Sequence, residues 1–485
     1  YEITTRLVGS EMCIRDRFSS TKDIHVTMNH STLMNACKVL KETLQLSADS
    51  SIFSLCSHTK GLGFILSSLI GIYVGSMTTL FSHDMVMANP KYFLMEVQNK
   101  NVRDLFLTLD SFTTLMDKAS KLVNNVSRSN TNATRHHNKT SKKTSQTQIS
   151  TIRGDMFRNV KNIMIPFIGR PEFNKIESIL LSSQSIFVKR TQINYIYQHH
   201  FNPIISLHSY LDVPPVDFFA DPTSLREGMV KEAAPGFQGL RLQDSGVVPV
   251  CTNVSIVNPE TLLPCYEGEI GEIWCCSEAN VFNYTISRDG KLVRDELISQ
   301  QFKSRMTKGA DNGLTYLRTG DLGFIRTVEI TNSNGDLVRL NLLYVLGRIN
   351  ETIELLGLTH FVSDLERTVY AAHNNIKNCI ISKAGGLLVC LIRCRPKCSE
   401  LYANIAALVV SELLNRNGVI VDLCTFVKPN GPGSYVVDGE WKKNRSLIMN
   451  HWFSQKLLVE TQFGVNYGEN ISMYLLSDFN KDTVN

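Results

Sequence analysis

The chain has 485 residues, 43% hydrophobic and 20% charged, a balance that builds two or three packed domains and excludes collagen-like, disulfide-scaffold and wholly disordered classes. Fifty Lys and Arg face 45 Asp and Glu, but five of the bases (Arg128, Arg135, Lys139, Lys142 and Lys143) stand in one acid-free segment, residues 124–151. The remainder is electrically neutral, which argues against a nucleic-acid partner, because phosphate recognition needs a concentrated basic face.

Residues 1–17, above all Leu7 to Arg17, resemble translated sequencing-adapter peptide and are set aside from fold reasoning, so the natural chain is expected to start near Phe18. From Asn29 or Ser31, either of which can cap, the apolar positions Leu33, Ala36, Cys37, Leu40 and Leu44 predict a helix, followed by a strand from Ile52 to Cys56. Gly61 to Ser82 runs 22 residues without a charge and contains the pair Gly71 and Gly75 in GxxxG spacing. Its glycines and hydroxyl residues dilute the apolarity, so it reads as a buried helix and strand and no transmembrane span is expected.

Val86 to Leu107 reads as another helix and strand, whereas 124–151 is Ser, Thr, Asn and base throughout and predicts a flexible inserted loop that could tether to an acidic partner or membrane surface. Beyond it come a strand from Asn162 to Ile168, a helix from Glu172 to Leu181, and an alternating run from Ile193 to Leu207 around His199 and His200. Strands follow at 247–257 and 268–276, and Asn332 to Asp336 reads as a hairpin turn between 328–330 and 337–343. After Gly347 the order becomes helix 363–373, strands 379–382 and 387–393, helix 400–415 and strand 419–427, a compact α+β unit. The expected division is a large domain 18–347, interrupted by 124–151, and a small domain 348–485, with a hinge at 348–351.

Two blocks carry chemistry: Tyr316-Leu317-Arg318-Thr319-Gly320-Asp321-Leu322-Gly323-Phe324, and Tyr344-Val345-Leu346-Gly347-Arg348-Ile349-Asn350-Glu351 with His360, Asp364, Leu365 and Glu366 after it. Thr-Gly-Asp at a strand end presents a carboxylate that accepts two hydrogen bonds, which suits a vicinal diol, and an Arg after Gly at the next strand end could add donors; the bland reading is two turns and an ion pair. Cys390, Cys394 and Cys398 lack a fourth ligand for zinc, so no metal site is expected there, and Trp274 and the apolar stripe of 400–415 read as core.

These blocks, with Gly61-Leu62-Gly63-Phe64, Val102-Arg103-Asp104, Ala234-Pro235-Gly236, Val257-Asn258-Pro259-Glu260-Thr261 and Gly271-Glu272-Ile273-Trp274, resemble the adenylate-forming (AMP-binding) superfamily in its fatty-acyl-AMP ligase branch. The likeness is strongest to the C-terminal ligase-like domain of the disco-interacting protein family in its fungal form, and it covers almost everything from Phe18 onward. It implies an α/β adenylate-forming fold, an incomplete large domain of mixed sheets and helices plus the small α+β domain. It also implies ATP and a fatty acid as substrates, AMP as the bound product moiety, Mg2+, an acyl acceptor such as CoA or phosphopantetheine, and a neighbouring ligase-like domain in the parent chain.

Carried over by position, Asp321 holds the ribose with help from Arg348; Tyr197, Thr319 and Gly320 belong to the nucleotide site; Asn350 with Glu351 occupies the hinge; and Lys442 is the mobile catalytic lysine. Such a lysine would offset charge at the pentavalent phosphorus. Three features depart from the family. The phosphate-loop equivalent, Ser19 to His30, retains only remnants; Tyr197-Gln198-His199-His200-Phe201 lacks the Gly, Thr and magnesium-binding Glu of its block; and the segment that normally precedes the phosphate loop has no counterpart. The chain is therefore expected to be a fragment, inactive alone, of either an acyl-adenylating enzyme or a degenerate module that binds nucleotide or lipid or serves as a scaffold. The cysteines and the N-terminus, which shows no secretory pattern, suit a cytoplasmic protein, peripheral to membranes at most.

Overall fold

The computed structural model describes residues 12–19, 22–58, 61–119, 121, 157, 159–171, 173, 176–177, 179, 192–208, 213–236, 239–281, 283–288, 291–293, 300–307, 309–331, 335–384, 386–428 and 445–465. Two compact units emerge: one contains Ile24–Ser224 and Met229–Leu346, the other Leu225–Gly228 and the chain from Gly347. The whole of the insertion 124–151, the hairpin turn at 332–334 and Lys442 lie outside the described residues.

Strands β1 (Met12–Ser19) and β2 (Lys22–Met28) lead into helix α1 (His30–Leu44) of the larger unit, with Arg17–Asp23 grouped with the smaller unit. The run set aside on sequence thus contributes to a strand. Asn29 caps α1, its side-chain oxygen accepting the Thr32 N–H at 2.7 Å, and Leu33, Ala36, Cys37, Leu40 and Leu44 form the buried face. The uncharged stretch after β3 (Ser51–Ser54) folds as helical segments over Gly61–Phe64, Ile65–Leu69 and Ile70–Val74, then strand β4 (Met77–Leu80). Its GxxxG pair serves a turn: a Cβ on Gly71 would meet Thr78 Oγ1 at 2.1 Å, and Gly75 ends the helix with φ +79°. No helix among the described residues is long and apolar enough to cross a membrane.

Strand β5 (Asp104–Phe106), β6 (Asn162–Phe167), β7 (Gln192–His199) and β8 (Asn202–Leu207) complete a six-stranded sheet in the order β4-β3-β5-β6-β7-β8. All pairs are parallel except β7 with β8. Alternate residues enter two different cores: Phe53, Leu105, Ile163 and Tyr195 pack with Phe93 and Phe112, while Ile52, Phe106, Met164 and Ile196 pack with Leu40 of α1. A sheet covered on both faces explains the continuous apolar runs. The alternation expected over 193–207 is absent for the same reason, since all six residues of β8 are buried.

After the two-stranded sheet of β9 (Asp217–Ala220) and β10 (Leu240–Gln243), a second major sheet forms from β11 (Thr252–Val257), β12 (Gly271–Ser277), β15 (Leu317–Thr331) and β16 (Leu337–Arg348). Between its members, β13 (Asn283–Arg288) and β14 (Lys291–Val293) join β1 and β2 in a further four-stranded sheet. Tyr197 and Ile205 of the six-stranded sheet pack on Ile273, Cys275, Leu343 and Val345 of the second, which brings the two sheets together at the Thr-Gly-Asp block.

The smaller unit opens with the hairpin β17 (Thr352–Leu355) and β18 (Leu358–Phe361), then helix α2 (Val362–Ala372). Its sheet, β19 (Ile376–Ala384), β20 (Leu387–Cys394), β21 (Leu423–Val427) and β22 (Val459–Gly464), is covered on one face by α2 and helix α3 (Tyr402–Asn417) and on the other by helix α4 (Arg445–Phe453). Only part of the 400–415 stripe is core: Ile405, Val409 and Leu413 are buried, whereas Leu408 and Leu414 are exposed. Cys390 and Cys394 sit in the apolar core, where burial pushes the Cys394 thiol up to about 12.

Candidate functional site

Thr-Gly-Asp does not stand at a strand end. It is a bulge inside β15: Thr319, Gly320 and Asp321 together face the single residue Ile273, between the register pairs Glu272–Leu322 and Trp274–Arg318. Gly320 takes φ +70°, a conformation that favours glycine, and a Cβ there would meet nothing within 4 Å. The bulge frees ladder groups that must find other partners. Thr319 Oγ1 donates to the Ile273 carbonyl at 2.7 Å and accepts the Asp321 N–H at 3.1 Å. The Gly320 N–H donates to Glu272 Oε1 at 3.1 Å.

Glu272 is the residue that sequence reasoning missed. Only 2% exposed, it also accepts from Arg318 Nε at 2.9 Å, Arg318 Nη2 at 2.7 Å and Trp274 Nε1 at 3.0 Å, and the Arg318 guanidinium lies over the Trp274 ring. Such a fully partnered carboxylate makes a rigid base for the bulge. A signal was available: a lone acid inside the apolar run Ile270 to Trp274 needs a cation, and Arg318 opens the neighbouring block.

Asp321 emerges fully buried, with its Oδ2 accepting a hydrogen bond from Tyr197 Oη at 2.7 Å. Tyr197 is equally buried and stacks on Phe167, with ring centroids 5.6 Å apart. Burial and the facing carboxylate hold its phenol well above the usual value, so it stays a hydrogen-bond donor. The structure therefore gathers Tyr197, Thr319, Gly320 and Asp321 in the larger unit. Arg348, the last residue of β16, belongs to the smaller unit, as do Asn350 and Glu351 in the 3-10 turn Ile349–Glu351. Just before them, Gly347 takes φ +148° and has the Phe361 ring 3.2 Å from where a Cβ would stand.

A carboxylate beside an open glycine backbone fits a nucleotide ribose, which donates two hydroxyls to it. Magnesium fits poorly. The fifth position of the Tyr197 block, where the family pattern has its acid, is Phe201, 1% exposed, its ring 4.5 Å from that of Phe302; His199 packs on Phe201. An oxygen-seeking cation gains nothing from that apolar contact. The phosphate-loop remnants also differ from a glycine-rich cradle: residues 22–28 are strand, paired within a sheet.

This architecture is the adenylate-forming fold of the fatty acyl-AMP ligases. A structure from the study of fatty acyl-adenylate ligases from E. coli and L. pneumophila superposes with TM-score 0.61 at 14% identity, covering 84% of this chain and 64% of that one. The L. pneumophila ligase in complex with acyl adenylate and pyrophosphate superposes with TM-score 0.51 at 16% identity, over 92% of this chain and 69% of that one. Residues 350–462 match the family model for the AMP domain of disco-interacting protein 2-like proteins. The Saccharomyces cerevisiae protein named homeostatic regulator of DAG is 54% identical over 98% of this chain, which spans only 29% of that relative's length.

Proposed function

We propose that this chain is a fatty-acyl-AMP ligase-like module that, within its longer parent, activates a fatty carboxylate with ATP in lipid metabolism. The carboxylate oxygen attacks the α-phosphorus, an O–P bond forms, pyrophosphate leaves, and the acyl-AMP then passes its acyl group to an acceptor such as a CoA or phosphopantetheine thiol. The observation that carries this reading is the bulge that places the Asp321 carboxylate beside Tyr197, with an open glycine between its supports. Asp321 would hold the ribose hydroxyls, with Thr319 and Gly320 shaping its approach and Arg348 adding donors. Asn350 and Glu351 would form the hinge, and Lys442 would offset charge on the phosphorus. The relative named for diacylglycerol homeostasis supports lipid metabolism as the setting.

The test is ATP–pyrophosphate exchange by the full-length parent across a panel of fatty acids. Fatty-acid-dependent exchange that disappears with Asp321→Ala supports the ligase; exchange unchanged by that substitution would sink the assignment to this module. A second reading, a module that binds nucleotide or lipid without turnover, is favoured by Phe201 at the position of the magnesium acid. Nucleotide binding measured by calorimetry, with no exchange under any fatty acid, would select it.

A further inference from the structure

We propose that Tyr197 is an internal stand-in for the sugar: its phenol holds the Asp321 carboxylate closed until the diol of an adenosine nucleotide takes its place. This rests on the reading of Asp321 as the ribose-binding residue. A diol binds a carboxylate by donating O–H groups to it, and the Tyr197 hydroxyl already does so at 2.7 Å, with both side chains at zero exposure. The phenol therefore occupies, with the same chemistry, an acceptor that a sugar hydroxyl needs.

The two partners differ in freedom. The Tyr197 ring is set by packing, stacked on Phe167 at an interplanar angle of 29° and clustered with Ile205, Ile273 and Cys275. The carboxylate stands on a bulge whose glycine has open space where a side chain would project. A small shift about Gly320 carries Asp321 from the phenol toward a ligand, while Glu272 keeps the bulge on its strand. A site whose competent state is a minor population binds with an affinity reduced by that fraction, and the charge-assisted Tyr197–Asp321 bond sets the fraction here.

Calorimetric titration of the full 485-residue chain with AMP and with 2′,3′-dideoxy-AMP tests this. Tyr197→Phe keeps the ring and removes the competing hydroxyl, so AMP should bind about tenfold more tightly, as loss of one hydrogen bond to a charged group allows. The ratio of AMP to dideoxy-AMP affinity should rise by the same factor, since the dideoxy compound has no diol to exchange. Equal or weaker AMP binding by Tyr197→Phe overturns the inference. Asp321→Asn in the Tyr197→Phe background should abolish the preference for AMP over dideoxy-AMP. Persistence of that preference overturns the ribose reading of Asp321 and the inference with it, whereas its loss without any gain in Tyr197→Phe overturns the inference alone. In the unaltered chain, AMP but not dideoxy-AMP should perturb the near-ultraviolet tyrosine difference spectrum; a flat spectrum at saturating AMP, or no AMP binding by any variant, also overturns it.

Discussion

Glu272 and Gly320 are joined across a strand pair by a 3.1 Å hydrogen bond from the glycine N–H to the acid, and through that bond the Glu272–Arg318 ion pair supports the bulge carrying Asp321. Glu272 is almost wholly buried, while the Arg318 side chain is 32% exposed. The arginine can therefore turn to water when its partner is removed, and the acid has no such escape.

Arg318→Met should for this reason cost more than Glu272→Ala. Removing the acid leaves the Trp274 and Gly320 N–H groups unpaired, about 3 kcal/mol in all, whereas removing the cation strands a buried carboxylate, about 3–5 kcal/mol. Urea midpoints of the two variants check the order. The opposite order would show that Glu272 is held chiefly by its neutral donors.

Two glycines should respond differently to alanine. At Gly320 only the positive φ opposes a side chain, so Gly320→Ala should cost about 1 kcal/mol. At Gly347 the φ of +148° is confined nearly to glycine and Phe361 blocks the Cβ, so Gly347→Ala should cost about 2–3 kcal/mol. Thermal melts of both variants, followed by circular dichroism, separate these values.

Acid should weaken the smaller unit. Burial, with Arg226 adding to it, lowers His360 to about 4, below its ordinary value of 6.5. Between those values the unfolded chain holds a proton that the folded chain does not, so stability present above pH 6.5 is lost as pH falls toward 4. His360→Asn should flatten the slope of stability against pH in that window; an unchanged slope would assign it to other groups.

Alkali should weaken the fold through its cysteines. Burial raises Cys37 to about 11 and Cys56, Cys394 and Cys424 to about 12, against 9 in the unfolded chain. Above pH 9 the unfolded state sheds these protons first, so stability falls as pH climbs from 9 toward 12. Among the described cysteines, folded chain at pH 8 should give a thiol reagent its fastest label at Cys251, which is exposed, with the buried Cys37, Cys394 and Cys424 reacting only on unfolding. Rapid labelling of Cys37 or Cys424 in the folded chain would contradict this.

Helix α1 was legible from its residues because its cap and apolar spacing are local, and the strands from Asn162 and around Glu272 were legible from their apolar runs. The strand-end placement of Thr319 to Asp321 failed because a three-against-one bulge depends on what β12 offers opposite it. The apolar stripe of α3 was read too broadly: Ile405, Val409 and Leu413 stand four apart on the buried side, whereas Leu408 shares its side with Asn404, Ser411 and Asn415 and is exposed.

The order of motif blocks could be read from the sequence by itself, and through the family resemblance it carried the class of fold and the expectation that Phe201 stands where the family pattern has an acid. The state of the candidate ribose carboxylate was decided only by tertiary structure. Tyr197 and Asp321 are 124 residues apart and meet because two sheets pack face to face. No local pattern encodes that meeting, because it depends on where the chain folds back on itself. The presence of Asp321 could be read from one line of sequence, but the hydrogen bond that closes it requires both sheets.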